Sequence, residues 1–245
     1  MTCLSAIENG CKGSIQEPIN HSKGCGGIMR VAPIGLYYGD KWLSVEQADK
    51  VGAEVAALTH GHELGYLPAA VLVHIVYRLA TSEVTILEAV EDAAQTVAKL
   101  FPATSYMQQL LALIRKAQRL AQENLEDLEA IHQLGEGWVA EETLAIALYC
   151  ALKYPHDFDK AIVASVNHRG DSDSTGAVTG NILGTYLGLQ GIPAKYITHL
   201  ELKDLILEVV DDLYNDCRME EYDDYYDPIW DAKYIKMTYR RTNMC

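Results

Sequence analysis

The sequence predicts an all-α protein folded as one compact helical domain over residues 1–245. Apolar residues recur at three- and four-residue spacing through most of the chain beyond its first forty residues. No stretch combines strict alternation with the β-branched enrichment of a strand. No Ser/Gly linker, fixed-period repeat or low-complexity tract offers a boundary for a second domain.

The first clear helix opens at Ser44, because Ser44-Val45-Glu46-Gln47 has capping-box spacing. Val45, Ala48, Val51, Val55 and Leu58 then form one apolar stripe. Residues 67–80 are apolar nearly all round, as a central buried helix should be. Amphipathic helices follow at 88–100 and 106–120, separated by the break at Phe101-Pro102. Further helices are expected at 141–153, 158–166, 176–189 and 202–214. The stretch 220–231, rich in Asp, Glu and Tyr, reads as a terminal arm that packs its aromatics.

Charge narrows the function classes. Twenty Lys and Arg stand against 34 Asp and Glu, for a formal charge of −14. Such a surface repels phosphate backbones and anionic membranes, so neither nucleic acid nor membrane is an expected partner. Divalent cations suit it better. Cysteines at 3, 11, 25, 150, 217 and 245 form no C-x-x-C pair, which points to reduced thiols in a cytoplasmic protein. Met1-Thr2-Cys3-Leu4 lacks the layout of a signal peptide. The apolar run 67–77, broken by His74, is too short to span a bilayer.

Two glycine-rich clusters carry chemistry. In Gly170-Asp171-Ser172-Asp173-Ser174-Thr175-Gly176, the carboxylates of Asp171 and Asp173 and a hydroxyl from Ser174 or Thr175 can converge at a helix entrance on one hard cation such as magnesium, manganese or calcium. As a bare D-x-D-S-T, helix N-capping is the simpler explanation. Behind it, Gly176, Gly180, Gly184 and Gly188 share one helix face, each costing about 1 kcal/mol against alanine. That cost predicts a neighbouring helix packed unusually close, holding the acidic loop rigid. A haloacid dehalogenase motif is excluded, because Asn167-His168-Arg169-Gly170 is no hydrophobic strand. An EF-hand fails for want of a Glu at its twelfth position.

The second cluster, Gly24-Cys25-Gly26-Gly27, lets backbone N–H groups approach an anion, as phosphate nests do. It is neither a Walker loop nor a Rossmann fingerprint. Nothing around Cys25 suggests a nucleophile. His60 and His62 have H-x-H spacing without a third ligand, so a helix C-terminus is the plainer home for His60. Tyr66 and Trp138 read as core aromatics.

Four segments together resemble the ADP-ribosylglycohydrolase family: GCGGIMRVAP at 24–33, LTHGHELGY at 58–66, GEGWVAEETLAIAL at 135–148 and NHRGDSDSTGAVTGNILGTYLG at 167–188. Their order and spacing fit along essentially the whole chain. The resemblance implies the all-α fold of that family and a binuclear magnesium or manganese centre. It implies cleavage of the glycosidic bond joining ADP-ribose to a protein side chain or small conjugate. By position, Asp171, Asp173 and Ser174 are the implied metal ligands, with Ser174 in place of the family's Thr. Gly24, Cys25, Gly26, Gly27, Ile28 and Met29 match the segment that cradles the phosphates, and His60 a histidine near the ribose.

The family's catalytic acids and remaining metal ligands lie in an N-terminal segment with G-D-x-x-G and Thr-Asp-Asp stretches, and these 245 residues contain neither. Met1-Thr2-Cys3-Leu4-Ser5-Ala6 already matches an internal family position. The expectation is therefore an N-terminally truncated domain with its catalytic residues unassigned. Asp211-Asp212 and Asp223-Asp224 lack the Thr and do not take the role. Three functions compete: a shortened form of an active hydrolase, a non-catalytic ADP-ribose-binding or interaction protein, and an assembly in which a second chain supplies the missing segment.

Overall fold

Capping chemistry sets where the helices begin. Ser44 Oγ accepts from the Gln47 N–H at 3.3 Å, and Gln47 Oε1 accepts from the Ser44 N–H at 3.0 Å, completing the expected box. Thr85 and Glu88 form a second box, so the helix expected from residue 88 starts at Ile86. His62 Nδ1 accepts from the Leu64 N–H at 3.0 Å and starts the central helix at Glu63, ahead of the apolar run. The computed structural model describes residues 2–10, 12–41, 43–215 and 227–238. Tertiary contacts divide the chain into two compact units, Met1–Ala194 and Lys195–Cys245.

The first unit contains α1 (Thr2–Glu8), a 3-10 turn (Cys25–Arg30), α2 (Ala32–Asp40), α3 (Val45–Ala57), α4 (Glu63–Thr81), α5 (Ile86–Leu100), α6 (Met107–Gln122), α7 (Asp127–Leu134), α8 (Ala140–Lys153), α9 (Phe158–Val166) and α10 (Ser172–Gly191). Among the described residues there is no strand, only one isolated antiparallel bridge between Gly24 and Val139. α4 is the hub, packed on α2, α3, α5, α8 and α10. Its Leu67, Leu72 and Ile75 are fully buried, as are Leu144, Ile146 and Tyr149 of α8. At 19 residues α4 is long and apolar enough to cross a membrane, contrary to the expectation from 67–77, although most of it is buried inside the unit. His74 lies fully buried in α4, its Nδ1 2.8 Å from Asp49 Oδ2 of α3 and its Nε2 3.4 Å from Asp92 Oδ2 of α5.

The glycine face of α10 departs from expectation. A Cβ at Gly176 would meet Val166 Cγ1 of α9 at 2.6 Å, so that position does need glycine. At Gly180 and Gly184 the nearest atoms would lie at 3.8 Å, an ordinary contact. Gly188 has φ +66° at a kink, with nothing nearby. Close helix packing therefore explains one glycine of the four. Periodicity placed all four on one face, but only tertiary neighbours decide whether that face is crowded.

In the second unit α11 (Ala194–Thr198) begins at its boundary, followed by α12 (Lys203–Asn215), α13 (Pro228–Trp230) and a π-helical turn (Asp231–Ile235). Lys233 bridges Glu208 at 2.5 Å and also pairs with Asp212, while Tyr234 Oη donates to Asp212 Oδ2 at 2.5 Å. Trp230 and Tyr234 pack with ring centres 4.3 Å apart and planes tilted by 49°. Of the arm expected at 220–231, residues 220–226 lie outside the described residues.

Candidate functional site

Three backbone segments meet at the entrance of α10. The Cys25 N–H donates to Trp138 O at 3.3 Å, and the Ala140 N–H donates to Lys23 O at 2.9 Å, tying the glycine-rich turn to the start of α8. On the other flank the Asp171 N–H donates to Glu136 O at 2.7 Å. Glu142 Oε2 accepts from the N–H groups of Glu136 at 3.0 Å and Gly137 at 3.1 Å, holding this middle strip in place. Two glycines make the approach feasible. A Cβ on Gly170 would lie 1.7 Å from Glu136 O, and Gly137 adopts φ +80°.

Asp171 occupies the N-cap position of α10, yet its side chain makes no capping hydrogen bond. The capping explanation therefore fails for this carboxylate. Its Oδ2 instead accepts from the Cys25 thiol at 2.8 Å and from Ser174 Oγ at 3.0 Å. Ser174 Oγ also touches Cys25 Sγ at 3.2 Å and Met29 Sδ at 3.1 Å. Burial acts to raise Asp171, but hydrogen bonds from Asp173, Cys25 and Ser174 outweigh it and hold the group below the usual carboxylate range. Asp173 moves the other way, raised first by its hydrogen bond to Asp171 and then by burial. The opposite shifts of these two neighbouring carboxyls mark a like-charge pair whose repulsion a cation would relieve. Burial, then the bond to Asp171, pushes the Cys25 thiol up to about 11.

The loop before Asp171 is locked by His168. Its Nδ1 accepts from the Gly170 N–H at 3.1 Å, which leaves the proton on Nε2, 2.9 Å from Thr175 Oγ1. That hydroxyl donates to Ser165 O at 2.6 Å.

The glycine-rich sites behave unequally. The Gly24 N–H donates to Ser22 Oγ at 3.3 Å, and the Cys25 N–H is taken by Trp138, so both are already occupied. In a 3-10 turn that opens at Cys25 the Gly27 N–H turns back to the N-cap Gly24 carbonyl, which leaves Gly26 as the N–H without a helical acceptor. Ile28 is fully buried, backbone included, and presents nothing outward, whereas Met29 reaches Ser174. His60 is 1% exposed and packs beneath the turn, where a Cβ at Gly27 would lie 3.3 Å from its Nδ1. It shares a 2.7 Å hydrogen bond with Thr59 Oγ1, which also accepts from Arg30 Nη2 at 2.6 Å. Burial, then Arg30, lowers His60 to about 4, so the ring is neutral near pH 7.

Glu136, Glu142 and His168 were not singled out by motif reasoning, and Thr175, read there as a ligand hydroxyl alternative to Ser174, is instead engaged with His168 and Ser165 O. These three sit inside the quoted segments, but their roles are tethers to backbone groups, which spacing along the chain does not encode. Tyr66 is buried, as expected, whereas Trp138 is 57% exposed and not a core residue. Asp212 is engaged with Lys233 and Tyr234, and Asp223-Asp224 lie outside the described residues. Among the described residues no cluster of three or more His, Cys, Asp and Glu side chains is gathered tightly enough to cage a metal. A cavity of about 650 Å³ lined by Ile131, His132, Glu136, His168 and Arg169 borders the loop without including Asp171 or Cys25.

Residues 1–223 match the family model described as ADP-ribosylglycohydrolase. ADP-ribosylhydrolase ARH3 of Bos taurus is 30% identical over 196 residues, covering 71% of this chain and 53% of that protein. ARH3 of Homo sapiens is 29% identical over 196 residues, with 71% and 53% covered. An uncharacterized protein of Archaeoglobus fulgidus is 28% identical over 190 residues, with 78% and 57% covered. The chain spans about half the length of the curated relatives it matches.

Proposed function

Because this chain belongs to the ADP-ribosylglycohydrolase family, we propose that it acts as a metal-dependent hydrolase. Its substrate would be the glycosidic bond between ADP-ribose and a modified protein side chain or small conjugate. The observation that carries the proposal is the meeting of the glycine-rich turn with the acidic loop, where Cys25 Sγ stands 2.8 Å from Asp171 Oδ2 across 146 residues of chain. An anion binder and a cation binder are thereby neighbours, as hydrolysis of a pyrophosphate-bearing sugar requires.

Asp171, Asp173 and Ser174 would hold magnesium or manganese, since two carboxylates and a hydroxyl at one helix entrance suit a hard divalent ion. Such an ion, when bound, supplies charge stabilisation at the ribose hydroxyls and activates a water. Gly26 would offer its N–H group to the pyrophosphate without a net basic surface. His60, neutral and buried, keeps the turn at fixed height above α3, and His168 keeps Asp171 in register. The residues that protonate the leaving group are unassigned. The free thiols Cys3, Cys25 and Cys150 support a reducing, cytoplasmic setting.

The test is release of free ADP-ribose from a mono-ADP-ribosylated protein, with manganese or with chelator. Metal-dependent release that Asp171→Asn abolishes supports the proposal. Binding of ADP-ribose without turnover at saturating manganese would instead make the chain a non-catalytic binder. Turnover only after adding a second polypeptide would assign the remaining ligands to that partner.

A further inference from the structure

His60 is 1% exposed, and only one of its two ring nitrogens is engaged inside the protein. Nδ1 lies 2.7 Å from Thr59 Oγ1, whereas Nε2 has no hydrogen-bond partner among the described residues. A Cβ at Gly24 would lie 3.4 Å from Nε2 and a Cβ at Gly26 3.6 Å, so this edge of the ring sits beneath the glycine-rich turn. Both positions being glycine, no side chain from either covers that nitrogen.

Which nitrogen carries the proton is decided one residue earlier. Thr59 is 4% exposed, and its Oγ1 has three neighbours: Arg30 Nη2 at 2.6 Å, His60 Nδ1 at 2.7 Å and Ala56 O at 3.5 Å. A guanidinium can only donate, so Thr59 Oγ1 accepts from Arg30. The single hydroxyl hydrogen then goes to His60 Nδ1, because Ala56 O stands at the outer limit of a hydrogen bond. Accepting from a cation also makes the hydroxyl a stronger donor. Arg30 is held in place by Gly26 O, 3.1 Å from Nη1, and Val55 O, 2.8 Å from Nη2. The ring is neutral near pH 7, so an accepting Nδ1 leaves the proton on Nε2.

We propose that Thr59 and Arg30 are positioning residues that lock His60 as its Nε2–H tautomer, aiming one N–H donor at an oxygen of the ligand seated on the glycine-rich turn. This rests on the reading of that turn as the cradle of ADP-ribose. A buried neutral N–H without an acceptor is costly, and a ligand oxygen relieves it. The opposite tautomer would present a lone pair there and repel the same oxygen. One guanidinium joins the two halves of the device, since Arg30 holds both the Gly26 carbonyl of the turn and the hydroxyl that orients His60.

Long-range proton–nitrogen correlation spectra of the isotope-labelled whole chain read the tautomer, with His60→Gln assigning the ring. Wild type should carry the proton on His60 Nε2, and saturating ADP-ribose should move that resonance without changing the tautomer. Thr59→Val removes the hydroxyl; it should populate the Nδ1–H form and weaken ADP-ribose binding about tenfold. Thr59→Ser should restore both. Arg30→Met, at an exposed side chain, should shift the tautomer in the same direction and carries the test if Thr59→Val does not fold. A proton on Nδ1 in wild type, or a tautomer indifferent to both substitutions, would overturn the proposal. So would ADP-ribose that binds without moving the Nε2 resonance. If wild type binds no ADP-ribose while the proton sits on Nε2 and depends on Thr59, the ligand reading falls and the tautomer lock stands.

Discussion

The main-chain N–H of Asp171 donates to the carbonyl of Glu136 at 2.7 Å, which makes the segment before α8 the anvil on which the acidic loop is shaped. Gly170 is the residue that allows this approach, since its missing Cβ would sit 1.7 Å from Glu136 O. Gly170→Ala should therefore push the loop off Glu136, costing at least about 1–3 kcal/mol. Gly180→Ala, with its nearest atom at 3.8 Å, should be neutral or raise stability by about 0.4–1 kcal/mol. Thermal denaturation of the two variants reads opposite signs if the contrast holds.

Glu142 holds the other end of the strip through two hydrogen bonds to backbone N–H groups. Glu142→Ala should cost about 1.5–3 kcal/mol for each charge-assisted bond left unmade. It should also weaken manganese binding, because Glu136 then no longer fixes Asp171. Denaturant melts paired with a manganese titration separate the two effects.

His74 and Asp49 are both fully buried, paired through Asp49 Oδ2, while Asp49 Oδ1 has no hydrogen-bond partner. His74→Leu leaves the carboxylate uncompensated and should cost about 3–5 kcal/mol. The double replacement His74→Leu with Asp49→Leu should recover most of that loss, since no charge then remains buried. Urea denaturation of the single and double variants gives the coupling directly.

His60 predicts a pH dependence with a definite sign. Its folded value, lowered to about 4, lies below its ordinary value of 6.5, so the unfolded chain takes up a proton first as pH falls. The stability from keeping His60 neutral is complete above pH 6.5, declines as pH falls from 6.5 towards 4, and levels off below 4. His60→Gln should flatten the stability profile within that window relative to wild type, and an unchanged slope would remove His60 as the cause.

Much of the helical layout was legible. The Ser44 box, the apolar helix around residues 67–80 and the breaks near Phe101 all rest on local chemistry that the chain writes in order. Thr85-Ile86-Leu87-Glu88 was equally readable as a capping box and explains the two residues missed at that start. The glycine face of α10 was over-read, because spacing reveals which residues share a face but not what lies across from it. The acidic and glycine-rich loops were found by motif, while the contact of Cys25 with Asp171 was not. Side chains 146 residues apart meet only through the fold, here through a strip around Glu136 whose tethers leave no periodic signature.

The central claim is that the loop 171–174 holds a divalent cation beside the glycine-rich turn. Electron paramagnetic resonance of manganese added to the protein tests it most directly. The account predicts a bound manganese signal in wild type that is lost in Asp171→Asn and weakened in Asp173→Asn. Manganese bound equally by all three proteins would contradict it.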